Sequence, residues 1–165
     1  MERKRAKIVS NETNCKARHP VSAHKQLDLE HFLPYRLSVL SNRVSQAIAR
    51  EYARRFGISI TQWRVIAVLG RYDGLSAREV ATRTAMDKVA VSRAVTALAS
   101  AGRIRRARAN HDRRQSELRL TAKGWKVYDD VAPLALEHER RLLARLTEDE
   151  RGSLDRILDK LAATY

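Results

Sequence analysis

The chain has a single cysteine, Cys15, among its 165 residues. That count excludes an internal disulfide framework and any cysteine-based zinc finger. No apolar run approaches the roughly eighteen residues that a membrane-spanning helix needs, so no membrane partner is expected. The basic opening, Met1 to Lys7, is not followed by an apolar stretch and a small-residue cleavage site. Secretion is therefore not expected, and the cytoplasm is the default location. A glycine-rich phosphate loop, a nucleophile signature and paired catalytic carboxylates are also missing, so neither an enzyme activity nor a cofactor is expected. The histidines are scattered, and none pairs with a carboxylate at metal-ligand spacing. Acidic residues are the remaining shortage: 19 Asp+Glu stand against 33 Lys+Arg, a net charge of +14.

A surface this basic attracts polyanions, most often nucleic acid. Met1 to Gln26 carries seven basic and two acidic residues, and Arg103 to Arg119 carries seven arginines against Asp112 and Glu117. Each segment contributes +5, so together they hold ten of the fourteen excess charges and are expected to meet phosphate. Residues 1–27 lack apolar periodicity and read as a flexible basic arm in which Cys15 is an inert thiol. Residues 28–165 read as one domain, large enough to bury a core.

Within that domain the apolar residues Leu33, Leu37, Leu40, Val44 and Ile48 recur at helical steps, predicting a helix from Leu29 to Phe56 that Gly57 ends. Three further helices open on capping boxes, Ser59 with Gln62, Ser76 with Glu79, and Thr147 with Glu150. A helix from Asp87 to about Ala101 should bury Val91, Ala94, Val95 and Leu98. Its other face shows Lys88, Val89, Ser92, Arg93 and Thr96. Two short segments, Arg103–Arg108 and Ser116–Leu120, flank a polar tip and predict a hairpin. A long helix with a kink at Pro133 and a final helix bearing Leu154, Ile157, Leu158 and Leu161 complete the chain.

Two capped helices, a third with a polar face and then a basic hairpin is the order of a winged helix-turn-helix. The expected fold is mainly α, with a two-stranded β wing and a helical dimerisation region. Ser76, Lys88, Val89, Ser92, Arg93 and Thr96 are candidates to contact double-stranded DNA in the major groove. Arg113 and Arg114 at the hairpin tip are candidates for a narrow minor groove.

The segments Gln62-Trp63-Arg64-Val65-Ile66, Met86-Asp87-Lys88, Val91-Ser92-Arg93, Asp112-Arg113-Arg114 and Leu118-Arg119-Leu120-Thr121 with Gly124 resemble the MarR family of transcriptional regulators. The resemblance covers about Leu29 to Ala162 and departs at Arg103, where many members have leucine. It implies that Asp112 orients a neighbouring arginine, that Arg114 touches DNA, and that the protein is a homodimer on a pseudo-palindromic operator. Residues 28–57 and 122–165 would then dimerise, and 58–121 would form the DNA-binding lobe.

The stretch His31 to Val44 resembles a subgroup responsive to CoA thioesters of hydroxycinnamic acids, which implies a small-molecule effector bound by Tyr35, Arg36, Ser38, Arg43 and Trp63. Arg36, Arg43 and Arg50, seven residues apart, line one helix edge over about 21 Å. Such a stripe either binds the phosphates of CoA or covers an apolar seam and pairs with carboxylates across a dimer. Two alternatives stand beside this reading: a free aromatic acid as effector, and an architectural DNA binder that senses nothing. A regulator differs from the latter in preferring its operator by about 10³ over random DNA.

Overall fold

A computed structural model describes residues 26–108 and 116–164. Its elements run α1 (Leu33–Phe56), α2 (Ile60–Arg71), α3 (Ala77–Thr84), α4 (Lys88–Ser100), β1 (Ile104–Arg108), β2 (Ser116–Leu120), α5 (Ala122–Leu143) and α6 (Glu148–Ala162). The mainly α fold with a two-stranded wing is thus the observed one.

Local chemistry sets the boundaries. All three capping boxes form as expected, with Ser59, Ser76 and Thr147 each accepting the N–H of the residue three positions on. Gly57, at φ 59°, ends α1 by turning left-handed. The first helix starts four residues later than expected, at Leu33 rather than Leu29. Proline explains the difference: in an earlier-starting helix the Pro34 ring would clash with the carbonyl of Glu30. Residues 28–31 instead form a turn in which His31 N–H donates to Asp28 Oδ1 at 3.3 Å. At the tight corner between α3 and α4, Ala85 takes φ 50°. A side chain there costs about 1–2 kcal/mol, and Asp87 follows at once to cap α4. Helix α5 continues through Pro133.

The core draws on both the central lobe and the helices flanking it. Tyr52 of α1, Ile66 and Leu69 of α2, Val80 of α3, Leu98 of α4, Leu118 of β2 and Val131 of α5 are all buried in one cluster. The hairpin is antiparallel, pairing Ile104 with Leu120 and Arg106 with Leu118. A third short segment joins it that the sequence pattern did not suggest: Leu118 N–H donates to Leu75 O at 2.7 Å, fixing the start of α3 against the wing.

Candidate nucleic-acid interface

The four apolar residues of α4 at i, i+3, i+4 and i+7 go into the core, and this decides what its other face can do. Lys88, Val89, Ser92, Arg93 and Thr96 all end up exposed on the far side. Asp87 accepts the N–H groups of Val89 at 2.9 Å and Ala90 at 3.0 Å, so the helix begins where these side chains begin. Val89 is 55% exposed, a branched apolar side chain set among donors. Among the described residues, neither Lys88 nor Arg93 makes a salt bridge. A helix face carrying free cations, hydroxyls and one methyl-bearing side chain has the groups that read base edges in a major groove.

Arg93 also borders a groove of about 310 Å³ with Ser59, Thr61, Gln62, Ala90 and Ala94, where the N-terminus of α2 meets α4. Thr61 was not singled out from the sequence and Gln62 was read only as part of the α2 start, because nothing in the α2 pattern says that its first turn opens beside α4. Ser76 is held differently. Its hydroxyl donates to Glu79 Oε2 at 2.7 Å and accepts from Glu79 N–H at 3.2 Å, so it is occupied by the cap of α3.

The arginines of the wing divide into two groups, which corrects the expectation that the whole stretch meets phosphate. Arg119 pairs with Asp73 and with Glu117, and Arg103 donates to the carbonyl of Phe56 at the end of α1. Both serve the fold, because each lies where the wing abuts another element. Arg105 and Arg106 are exposed. Asp112, Arg113 and Arg114 lie outside the described residues, as do Cys15 and the basic arm through Lys25.

The residues expected to hold an effector separate in the same way. Tyr35, Arg36 and Arg43 meet with Glu30, Val39 and Leu40 around a groove of about 330 Å³ on the outer face of α1, and Ser38 is exposed. Trp63 is not there. Its ring packs between Tyr52, 5.9 Å away, and Tyr128, 6.2 Å away. Tyr52 lies about 25 Å along α1 from Tyr35, so within one chain Tyr35 and Trp63 cannot flank a single ligand. Beside Trp63, the half-buried Arg64 donates to Ser45 Oγ at 3.0 Å. The Tyr52 hydroxyl is buried without a partner. Desolvation pushes its pKa up to about 12 against the opposing pull of Arg64.

Among the described residues no three His, Cys, Asp or Glu side chains gather to hold a metal ion, and no helix is long and apolar enough to cross a membrane.

These features define a winged helix-turn-helix protein with an exposed, cationic face on α4. The MarR family model matches residues 56–115, from the end of α1 to the residue before β2. The HTH-type transcriptional regulator BilQ of Clostridium symbiosum is 33% identical over 108 residues, covering 66% of this chain and 75% of that protein. The HTH-type transcriptional repressor Rv2887 of Mycobacterium tuberculosis is 26% identical over 133 residues, 80% of this chain and 92% of that one. A MarR/EmrR family regulator from Acinetobacter superposes with a TM-score of 0.76 at 28% identity, covering 84% of this chain and 97% of that chain. The fold is also that of Staphylococcus aureus MepR, solved in complex with DNA, at a TM-score of 0.72 and 22% identity over 82% of this chain and 97% of that chain. The chain belongs to the MarR family of transcriptional regulators.

Proposed function

We propose that this protein is a homodimeric repressor that holds a pseudo-palindromic operator with two copies of α4 and is released by an aromatic acyl-CoA. The observation that carries the DNA reading is α4 itself, with four apolar residues buried and Lys88, Val89, Ser92, Arg93 and Thr96 exposed on the other side. Arg93 and Lys88 supply donors for guanine or phosphate, and Val89 supplies apolar contact for a thymine methyl. Wing residues Arg113 and Arg114, oriented by Asp112, would follow the adjacent minor groove.

Dimerisation is supported by the apolar side chains left in solvent at the two ends of the chain. Leu33, Leu37 and Leu40 on α1 and Ile157, Leu158 and Leu161 on α6 are all exposed. Patches of this kind on a single chain mark a surface that another chain covers. Two-fold symmetry would then set two α4 helices about 34 Å apart, one turn of DNA.

For the effector, the groove at Tyr35, Arg36 and Arg43 offers two guanidinium groups for phosphates and an aromatic ring beside them. A ligand that binds better to an arrangement with another α4 spacing lowers operator affinity by that difference. A free aromatic acid is the second reading, favoured by one observation: Arg64 and the unpartnered Tyr52 hydroxyl both lie beside Trp63 and leave hydrogen-bonding capacity for a carboxylate.

One titration tests all of this. Fluorescence anisotropy on DNA from upstream of the protein's own gene is run near physiological salt with excess random duplex. It is then challenged with a hydroxycinnamoyl-CoA and with the matching free acid. Release by the thioester alone supports the groove on α1, and release by the acid supports Arg64 and Tyr52. No preference over random DNA would replace the repressor with an architectural DNA binder.

A further inference from the structure

Arg103 stands where three elements meet, the end of α4, the start of α5 and the end of α1. Its backbone closes the end of α4, the N–H donating to Leu98 O at 2.9 Å. Its carbonyl accepts from the N–H of Thr121 at 3.0 Å and from Thr121 Oγ1 at 3.1 Å. Thr121 in turn caps α5, accepting from Gly124 N–H at 3.1 Å. A side chain at Gly124 would run into the Arg103 carbonyl, so the approach of α5 is close. From this clamped backbone the guanidinium crosses to α1 and donates through Nη2 to the carbonyl of Phe56, 47 residues away in sequence.

The chemistry of that contact is specific. Phe56 is the last residue of α1, where helix carbonyls lack partners and the helix dipole is negative, so a cation is favoured there. Arg103 has no carboxylate partner among the described residues. Its Nε is buried and makes no hydrogen bond. A buried donor left unmade is a cost that a leucine at the same place would not carry. The contact thus carries a cost beside its gain, and what it fixes is the position of α4 and the wing relative to α1.

We infer that Arg103 is a positioning residue for DNA reading, a strut that fixes the end of α4 and the root of the wing relative to the end of α1. The inference rests on the DNA-reading role proposed above. If α1 belongs to the dimerisation region, the strut sets how each α4 and wing are presented by the two-fold. It acts through geometry and does not touch DNA.

The test compares R103L and R103K with the wild-type protein on a duplex that the wild type selects from a random pool. Three quantities are read: thermal midpoint, affinity for the selected and for random duplex, and the salt dependence of binding. For R103L the expected result is a midpoint equal to or above wild type with about tenfold weaker binding to the selected duplex. The salt slope stays unchanged. R103K, which keeps a charged donor for the Phe56 carbonyl, restores most of the affinity. A salt slope smaller by about one would overturn the inference, because it marks a lost phosphate contact. So would a lowered midpoint with affinity lost equally on both duplexes, which marks an ordinary structural contact. Unchanged affinity, or an R103K variant as weak as R103L, would overturn it as well. A wild-type protein that selects no duplex would remove the DNA reading and this inference with it.

Discussion

Helices α4 and α6 are 13 and 15 residues long, and each places four apolar side chains at i, i+3, i+4 and i+7. In α4 these are Val91, Ala94, Val95 and Leu98, every one of them buried against α2, α3 and the wing. In α6 they are Leu154, Ile157, Leu158 and Leu161, none of them buried, with Ile157 54% exposed. The helical pattern is equally good in both. Periodicity specifies that a face will be covered and says nothing of what covers it. For α4 the cover lies in the same chain, and we propose that for α6 it lies in a second copy. The same contrast separates the polar sides: the exposed face of α4 is set rigidly by its buried one, which suits a surface that must match the pitch of DNA.

The contrast breaks most sharply under large-to-small substitution. Leu98→Ala removes a fully buried side chain and should cost about 2–5 kcal/mol, whatever the protein concentration in a denaturant titration. A substitution on α6 should behave in the opposite way. The double variant Ile157→Asp, Leu161→Asp leaves the lobe core intact but should turn a dimer into single chains in sedimentation, with apparent stability no longer rising with concentration. A double variant that sediments as the wild type would place the interface elsewhere.

On the exposed side of α4 the expected effect is smaller and lies in specificity. Arg93→Ala should lower the preference for a selected duplex over random DNA by about 1–3 kcal/mol, with little change in folding. Sequence preference identical to wild type in a binding-site selection would take Arg93 out of the reading surface.

Most of the fold was legible because its signals are local. The caps at Ser59, Ser76 and Thr147, the turn at Gly57 and the four-residue face of α4 each depend on side chains within one or two turns. The candidate site was legible to the extent that it sits on one such helix. What the sequence did not disclose depends on residues far apart. The Leu75 bridge to the wing joins positions 43 residues apart, and the Arg119 pair with Asp73 spans 46. The Arg103 contact with Phe56 is of the same kind: a run of arginines reads as uniform charge until the fold shows which have partners. Tyr35 and Trp63 failed to meet because Tyr35 sits in the first turn of the 24-residue α1 while Trp63, on α2, packs on Tyr52 near the other end of α1.

The weakest expected effects compare two helix starts with the same chemistry. The Ser76–Glu79 box opens α3 inside the lobe and the Thr147–Glu150 box opens α6 outside it. Ser76→Ala should cost the lobe about 1 kcal/mol, while Thr147→Ala should act only where α6 is held by a partner. Glu79 adds a pH dependence that belongs to α3. Hydrogen bonds from the Ser76 backbone and side chain hold its pKa below the ordinary 4.5. A carboxyl depressed in the folded state stabilises fully above its unfolded pKa and loses that contribution as pH falls through the lower, folded value. Stability measured from neutral pH into the acid range should therefore fall less steeply in Ser76→Ala than in the wild type, the difference confined to the region at and below pH 4.5. Glu79 is well exposed, so the change in slope will be slight. An acid limb identical in the two proteins would take Glu79 out of it.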